Sequence, residues 1–336
     1  MTHFLSLNTV ETIANDCLMA CGASPLQAAA VARSIRDAEA EGTRSIGLGY
    51  LPWYCGHLKA GKIAGHARPV VRQPKPGAVE VDACDGFAHP AYEAGEAALI
   101  ATARSQGIAM MGIRNAYACG VLGYFTGRLA QQGLVALMFA NASSTMAPWG
   151  GRLPFFGTNP WSMAAPRIGA PLILDSSSSA TAYVNLATAA AKGEPIPPHW
   201  ALDGEGRPTT DPIAALAGSI APAGGHKGSA LALMVEVLAA GLTGAHFSHQ
   251  ASSLGDDLGG PPRLGQTLIA IQPGNAGFTD RIEGLLTDMA TEPGVRIPGD
   301  RRHANRARNS IEGVPVDNLL LDQLRALATA SQKSGW

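Results

Sequence analysis

The chain has 336 residues, of which 46% are apolar and only 15% charged, with a formal net charge of −1. That is enough to bury a sizeable core, in about two domains of ~150 residues. The balance excludes a disordered chain, and it argues against a basic nucleic-acid-binding surface.

Taken in chain order, Asn8 with Glu11 three residues on resembles a capping box. Val10, Ile13, Ala14, Cys17, Leu18 and Cys21 follow at helical spacing, and Gly22 ends the helix. Ser24-Pro25 starts a second helix that runs to about Gly42. Residues 45–66, rich in Gly, Tyr and Trp, read as irregular. An Ala-rich helix over roughly 90–106 leads to a buried strand at 108–113, a helix at 121–131 and a strand at 134–141. LPFFGTNPWSMAAP (153–166) reads as a turn-rich loop into a strand, 171–175 as a short strand and 178–191 as a helix. A long loop at 193–212, a helix at 227–241, a mobile loop at 248–262 and a strand at 267–272 come next. Helices near 277–290 and 315–331 complete the pattern, which has no internal repeat. Strands alternating with helices predict an α/β (α+β) fold class.

No apolar run reaches the ~18 residues of a membrane span. The opening MTHFLSLNTVETIANDC lacks the regions of a signal peptide. Cys17, Cys21, Cys55, Cys84 and Cys119 form no C-x-x-C pair. Reduced thiols, a cytoplasmic location and no metal centre are the expectation.

The signatures G-x-G-x-x-G as strand–turn–helix, G-x-x-x-x-G-K-[ST] and H-E-x-x-H are all absent. Three phosphate-friendly elements remain. Asp175 and the serines 176–179 follow an apolar strand and read as the opening of an Ala-rich helix, where free N–H groups attract anions, although plain capping would look the same. Gly224-Gly225-His226-Lys227 opens another helix, and the same residues suit a Gly-rich turn with a solvated lysine. Arg296, Arg301 and Arg302 surround a Pro-Gly turn, where their forks suit phosphate oxygens or simply face water. Together they point to a phosphorylated cofactor.

At this point the residues match a known pattern. The block from LILDSSSSATAYVN to GGHKGSALALMVEVLAAGLTGA (172–245) closely resembles the malate/L-lactate dehydrogenase-like oxidoreductases. FGTNPWSMAAP (156–166), RNAYACGVLGYF (114–125) and GVRIPGDRR (294–302) resemble other blocks of that family, so the similarity spans about residues 5–330. The resemblance implies a dimeric enzyme with a non-Rossmann NAD(P)-binding domain, which accounts for the missing G-x-G-x-x-G. It implies NADPH or NADH as cofactor, held by Ala118, Cys119, Gly120, Val121 and Leu122, by Ser177, Ser178 and Ser179, by His226 and Lys227, and by Arg296 and Arg301. It implies a substrate-facing Thr158. It divides the chain into a substrate-side segment at 1–110, a cofactor-binding region at 111–260 and a returning segment at 261–336.

The departures from the family pattern bear on the chemistry. The family carries Ser-His-Gly with an arginine three residues beyond the glycine, the His moving the substrate proton and the Arg gripping a carboxylate. Here the stretch is Ser45-Ile46-Gly47-Leu48-Gly49-Tyr50. A second block, Asn-Ser-x-His-Phe-Gly, is here Asn115-Ala116-Tyr117-Ala118-Cys119-Gly120, and a usual Gly-Lys is Val184-Asn185. Isoleucine cannot donate a proton, and general acid catalysis contributes ~10²–10⁴-fold. Tyr50 and Tyr117 lead the candidates for the missing donor, ahead of Tyr54, His57 and His89, each of which could equally be a packed aromatic. Ser45 stays in the catalytic set, with Ile46 and Tyr54 facing substrate. His199 and His246 read as structural or solvated, and Glu194 lies near the family's acidic relay position. The expected function is hydride transfer to or from a carbonyl or imine carbon of a small carboxylated or cyclic imine substrate, without nucleic acid or membrane partners. An iminium arrives already protonated, which suits a site without that histidine. Non-redox elimination or cyclisation on the same scaffold, or a nucleotide-binding pseudoenzyme, are the rival readings.

Overall fold

Ser6, rather than Asn8, caps the first helix. The Thr9 N–H reaches the Ser6 hydroxyl at 3.1 Å, so α1 spans Leu7–Ala20. Glu11 therefore lies inside the helix, where its carboxylate meets Arg36 at 2.7 Å. Ser24 and Pro25 open α2 (Pro25–Ala40) as expected. The computed structural model describes residues 2–329.

Residues 45–66 are more ordered than their composition predicts. Two single 3₁₀ turns, Arg44–Ile46 and Leu48–Tyr50, lead directly into α3 (Leu51–Lys59). Pro52 is tolerated because the first helical turn has no N–H partner to lose.

A seven-stranded mixed sheet carries the rest. Its strands are β2 (Val70–Lys75), β3 (Ala78–Asp82), β4 (Ile108–Ala116), β5 (Val135–Ala140), β6 (Trp161–Ala165), β7 (Leu172–Ser176) and β10 (Leu264–Ile271), in the order β2-β3-β4-β10-β5-β6-β7. Only β3 and β4 run parallel; the other neighbours are antiparallel. An open parallel Rossmann sheet is therefore not what this chain builds. The β2–β3 hairpin went unread because β2 is exposed along its whole length and offers no alternation. Packed on the sheet are α4 (Ala88–Gln106) and α5 (Leu122–Gln131), whose Tyr92, Leu99, Phe125 and Leu129 are fully buried against Met111 and Met138. Each such side chain contributes roughly 1.5–3 kcal/mol.

The serine run is not at a helix start. The helix expected at 178–191 begins five residues later, as α6 (Tyr183–Lys192). Residues 178–180 are instead held extended, with the Ala180 N–H donating to Ala221 O at 2.8 Å and the Ala223 N–H to Ser178 O at 2.9 Å. Beyond a small hairpin of β8 (Ala201–Leu202) and β9 (Ser219–Ile220) around α7 (Pro212–Ala217), α8 runs over His226–Val235. It continues as a π-helical turn, Glu236–Gly241. Buried Glu236, at the start of that turn, accepts from Asn159 Nδ2 at 2.9 Å and from Ser248.

The C-terminal portion adds α9 (Phe278–Ala290), α10 (Asp300–Glu312), β11 (Val314–Asp317) and α11 (Asn318–Thr329). β11 pairs with β1 (Thr2–Leu5), a strand too short to read locally. The helix expected from 315 therefore starts at Asn318, and its expected residues 330 and 331 lie outside the described residues. All five cysteines are free. Among the described residues, no helix is long and apolar enough to cross a membrane.

Candidate active site

Tyr50 caps α3, and Tyr54 and His57 follow it at i+4 and i+7, so the start of the helix presents all three on one side. That side meets Tyr117, which follows β4. The Tyr117 N–H donates to Gly86 O at 2.9 Å, fixing its backbone where the chain leaves the sheet. Its ring packs edge-on against Phe87, Tyr54 and His57, with centroids 5.9, 5.9 and 5.6 Å away. Its hydroxyl lies 2.5 Å from His57 Nδ1 and faces the side of the cluster that carries Tyr50. Burial pushes all three tyrosines above their ordinary value, so each keeps its proton. Burial, with Lys62 nearby, holds His57 below the usual histidine value.

Ile46 closes this cluster. Gly120 adopts φ +67, and a Cβ there would lie 3.2 Å from Ile46 Cγ2 and 3.5 Å from the Tyr54 hydroxyl. Three residues on, the Gly123 N–H at the start of α5 donates to Asp175 Oδ2 at 2.9 Å. The same oxygen pairs with Arg302 at 3.1 Å. Segment 118–122 thus joins the tyrosine cluster to the end of β7, where the serine run begins.

Two other expected elements gather at that end. Ser178 N–H donates to Thr158 O at 2.9 Å, and its backbone is tied to the 221–223 turn that precedes His226. The arginine turn packs on β7, since a Cβ on Gly299 would lie 3.2 Å from the Ile173 backbone. Lys227, Arg296 and Arg301 are exposed, and none makes an ion pair among the described residues. Arg302, by contrast, turns inward to Asp175. Lys227, beside glycines with positive φ at 224 and 225, and the open Arg296 and Arg301 each suit a phosphate-bearing ligand.

Comparison with known proteins agrees. The family model described as malate/L-lactate dehydrogenase matches residues 5–325. The chain belongs to the malate/L-lactate dehydrogenase family. It is 44% identical over 333 residues to a (2R)-3-sulfolactate dehydrogenase (NADP(+)) of Chromohalobacter salexigens, covering 98% of this chain and 99% of that one. It is 40% identical to a Δ1-pyrroline-2-carboxylate reductase of Ancylobacter novellus, covering 96% and 97%. The crystal structure of Δ1-piperideine-2-carboxylate reductase from Pseudomonas syringae superposes with a TM-score of 0.93 at 37% identity, covering 97% of this chain and 99% of that one. The chain is thus an NAD(P)-dependent oxidoreductase on a scaffold that serves carbonyl and imine reduction.

Other expected residues of this dehydrogenase-family chain fall differently. Ser45 is exposed in its 3₁₀ turn. Thr158 joins the serine run and not the tyrosines, through the backbone bond already described. Burial pushes the Cys119 thiol up to about 12, which removes it as a nucleophile. His89 is buried against Tyr124 and Phe125, where burial pulls it down to about 3. Glu194 and His199 are exposed.

Lys62 and Asp257 went unread, and Asp175, read only as the head of the serine run, has a different part. Asp175 is the junction between α5 and α10. Lys62 is fully buried and donates to the carbonyls of Ser253, Asp256 and Leu258 at 2.5, 3.0 and 2.5 Å. The loop expected to be mobile at 248–262 is therefore anchored, and it lays Asp257 beside His57. No local signal announces contacts between residues nearly 200 positions apart.

Proposed function

We propose that this protein uses NADPH to reduce the C=O or C=N carbon of a small carboxylated substrate, a cyclic imine carboxylate foremost. Tyr50 and Tyr117 carry the reading: two protonated hydroxyls belong to the cluster that Ile46 closes, where the family pattern places its histidine. Either can protonate the substrate heteroatom, with Tyr54 and Ile46 forming an apolar wall and Thr158 and Ser45 at the margins. When bound, the nicotinamide supplies or accepts the hydride. Ala118–Leu122, Ser177–Ser179 and His226 line the cofactor, and Lys227, Arg296 and Arg301 meet its phosphates. Residues 1–110 form the substrate side, 111–260 the cofactor side, and the segment from 261 packs back on both. The NADP(+) relative and the open arginine pair favour NADPH over NADH.

A homodimer in the cytoplasm completes this reading. Exposed Trp149, Leu233, Met234, Val237 and Leu242 offer an apolar face for a second copy; sedimentation velocity tests it.

Titration with NADPH and NADH, followed by nicotinamide fluorescence, tests the whole. Saturable micromolar binding is expected, then turnover of cyclic imine carboxylates or 2-oxo acids. No binding up to millimolar cofactor would move the search to non-redox substrates.

A further inference from the structure

The fully buried His57 has no part in the chemistry so far. Its Nδ1 contacts the Tyr117 hydroxyl, and its Nε2 is buried without a hydrogen-bond partner. An orphaned ring nitrogen costs about 1–3 kcal/mol unless something uses it. Asp257 Oδ1 lies 3.6 Å from that nitrogen, and the Asp257 side chain is 65% exposed to solvent while His57 is 0% exposed. The series Tyr50, Tyr117, His57, Asp257 therefore runs from the cluster beside Ile46 to water.

The geometry points to a proton relay in which His57, a positioning residue acting through Tyr117, recharges the tyrosine donor from bulk water by way of Asp257. This inference rests on the proposed reduction and names the source of its proton.

The atoms balance with both tyrosines and the imidazole neutral before and after the transfer. Tyr50 Oη–H gives its proton to the substrate oxygen or nitrogen as the nicotinamide hydride reaches the carbon. Tyr117 Oη–H replaces it, His57 Nδ1–H replaces that, and Nε2 takes the proton of a transiently protonated Asp257 carboxyl, which bulk solvent recharges; exchange with solvent restores the Nδ1–H tautomer between turnovers. No charge is created in the buried stretch, as the low dielectric there requires. The groups facing His57 are Tyr117, Lys62, Asp256 and Asp257. Lys62 is solvated by three loop carbonyls, lies 3.8 Å from Asp256 Oδ1 and holds the loop that carries both aspartates. Trp53 packs edge-on to the ring 5.9 Å away and closes its other side.

The test is steady-state reduction by the full chain, with Δ1-piperideine-2-carboxylate and pyruvate as probes, in H2O and D2O mixtures. His57→Gln and Tyr117→Phe should each lower kcat by about 10²-fold, the low end for a lost acid–base path. The double variant should fall no further than either single one, because both cut one path. NADPH affinity should hold. The wild-type proton inventory should be curved, reporting more than one moving proton, and linear in Tyr117→Phe. Asp257→Asn, at an exposed position that does not threaten folding, should lower kcat several-fold and shift its pH profile. Wild-type kcat with a straight inventory in both buried variants would overturn the relay while leaving the reduction standing. Absence of wild-type turnover with either probe, despite NADPH binding, would overturn the reduction itself and the relay with it.

Discussion

Lys62 Nζ sits 2.5 Å from the carbonyl oxygen of Ser253, a residue 191 positions away. With the Asp256 and Leu258 carbonyls it completes a cage around a fully buried ammonium. Charge-assisted bonds of this kind contribute about 1.5–3 kcal/mol each, but carbonyls of a surface loop can turn to water once the lysine is gone. Lys62→Met should therefore cost about 2 kcal/mol in denaturant unfolding. Proteolysis should then begin within residues 253–258; an unchanged midpoint and cleavage pattern would show that the loop is held by something else.

Glu39 supports the segment that carries Ile46 and Tyr50. Its carboxylate accepts the Leu48 N–H at 2.7 Å, and it is 2% exposed. Burial pushes it up from 4.5 to about 7. Between those values the folded chain binds a proton that the unfolded chain does not, so stability falls as pH rises through this window, by about 3 kcal/mol in all. Glu39→Gln keeps an acceptor for Leu48 and loses the titration. Its unfolding free energy should be flatter between pH 4.5 and 7 and higher than wild type at pH 8. Parallel pH profiles for the two proteins would count against this.

Lys227, Arg296 and Arg301 are free to meet phosphate. Replacing Arg296 and Arg301 together with serine should raise the NADPH dissociation constant by about tenfold or more, from ~1.4 kcal/mol of lost charge-assisted bonding. NADH binding should change less, and the wild-type preference should shrink with added salt. Equal loss for both cofactors would place the arginines at the shared diphosphate rather than the 2′-phosphate.

Ile46→His with Tyr50→Arg should create or strengthen 2-oxo acid reduction, by ~10²-fold or more where acid catalysis limits the rate. The outcome is read as kcat/KM for pyruvate in the variant that still binds NADPH. No gain would mean that these side chains do not face the reacting carbon.

Gly120 sits at φ +67, with Ile46 and Tyr54 in the path of any added Cβ. Gly120→Ala should cost about 1–3 kcal/mol of stability and loosen the joint between tyrosines and cofactor segment. Calorimetry and the KM for NADPH should change together; a neutral substitution would remove Gly120 from the site.

Much of this was legible locally. Helix α2 with its Ser24-Pro25 start, α4, α5 and the buried strands β4 and β5 announced themselves by periodicity and caps, because those signals need only a few consecutive residues. The similarity of residues 172–245 to a known family carried the cofactor class. What misled was composition. Gly-, Tyr- and Trp-rich residues 45–66 hid α3, and the serine run looked like a helix start although backbone bonds to 221–223 hold it extended.

By itself the sequence determined the longer helices and the buried central strands, the absence of a Rossmann signature, and Ile46 and Tyr50 where the family pattern has His and Arg. Only the tertiary structure decided that Tyr50, Tyr54 and His57 share one side of the start of α3 against Tyr117. It also decided that Asp175 joins α5 to α10, and that Lys62 brings Asp257 to the buried histidine. The reason is range. Propensity and periodicity act over a few residues, whereas these contacts span 52 to 200 positions and form only once sheet order and core packing bring the segments together.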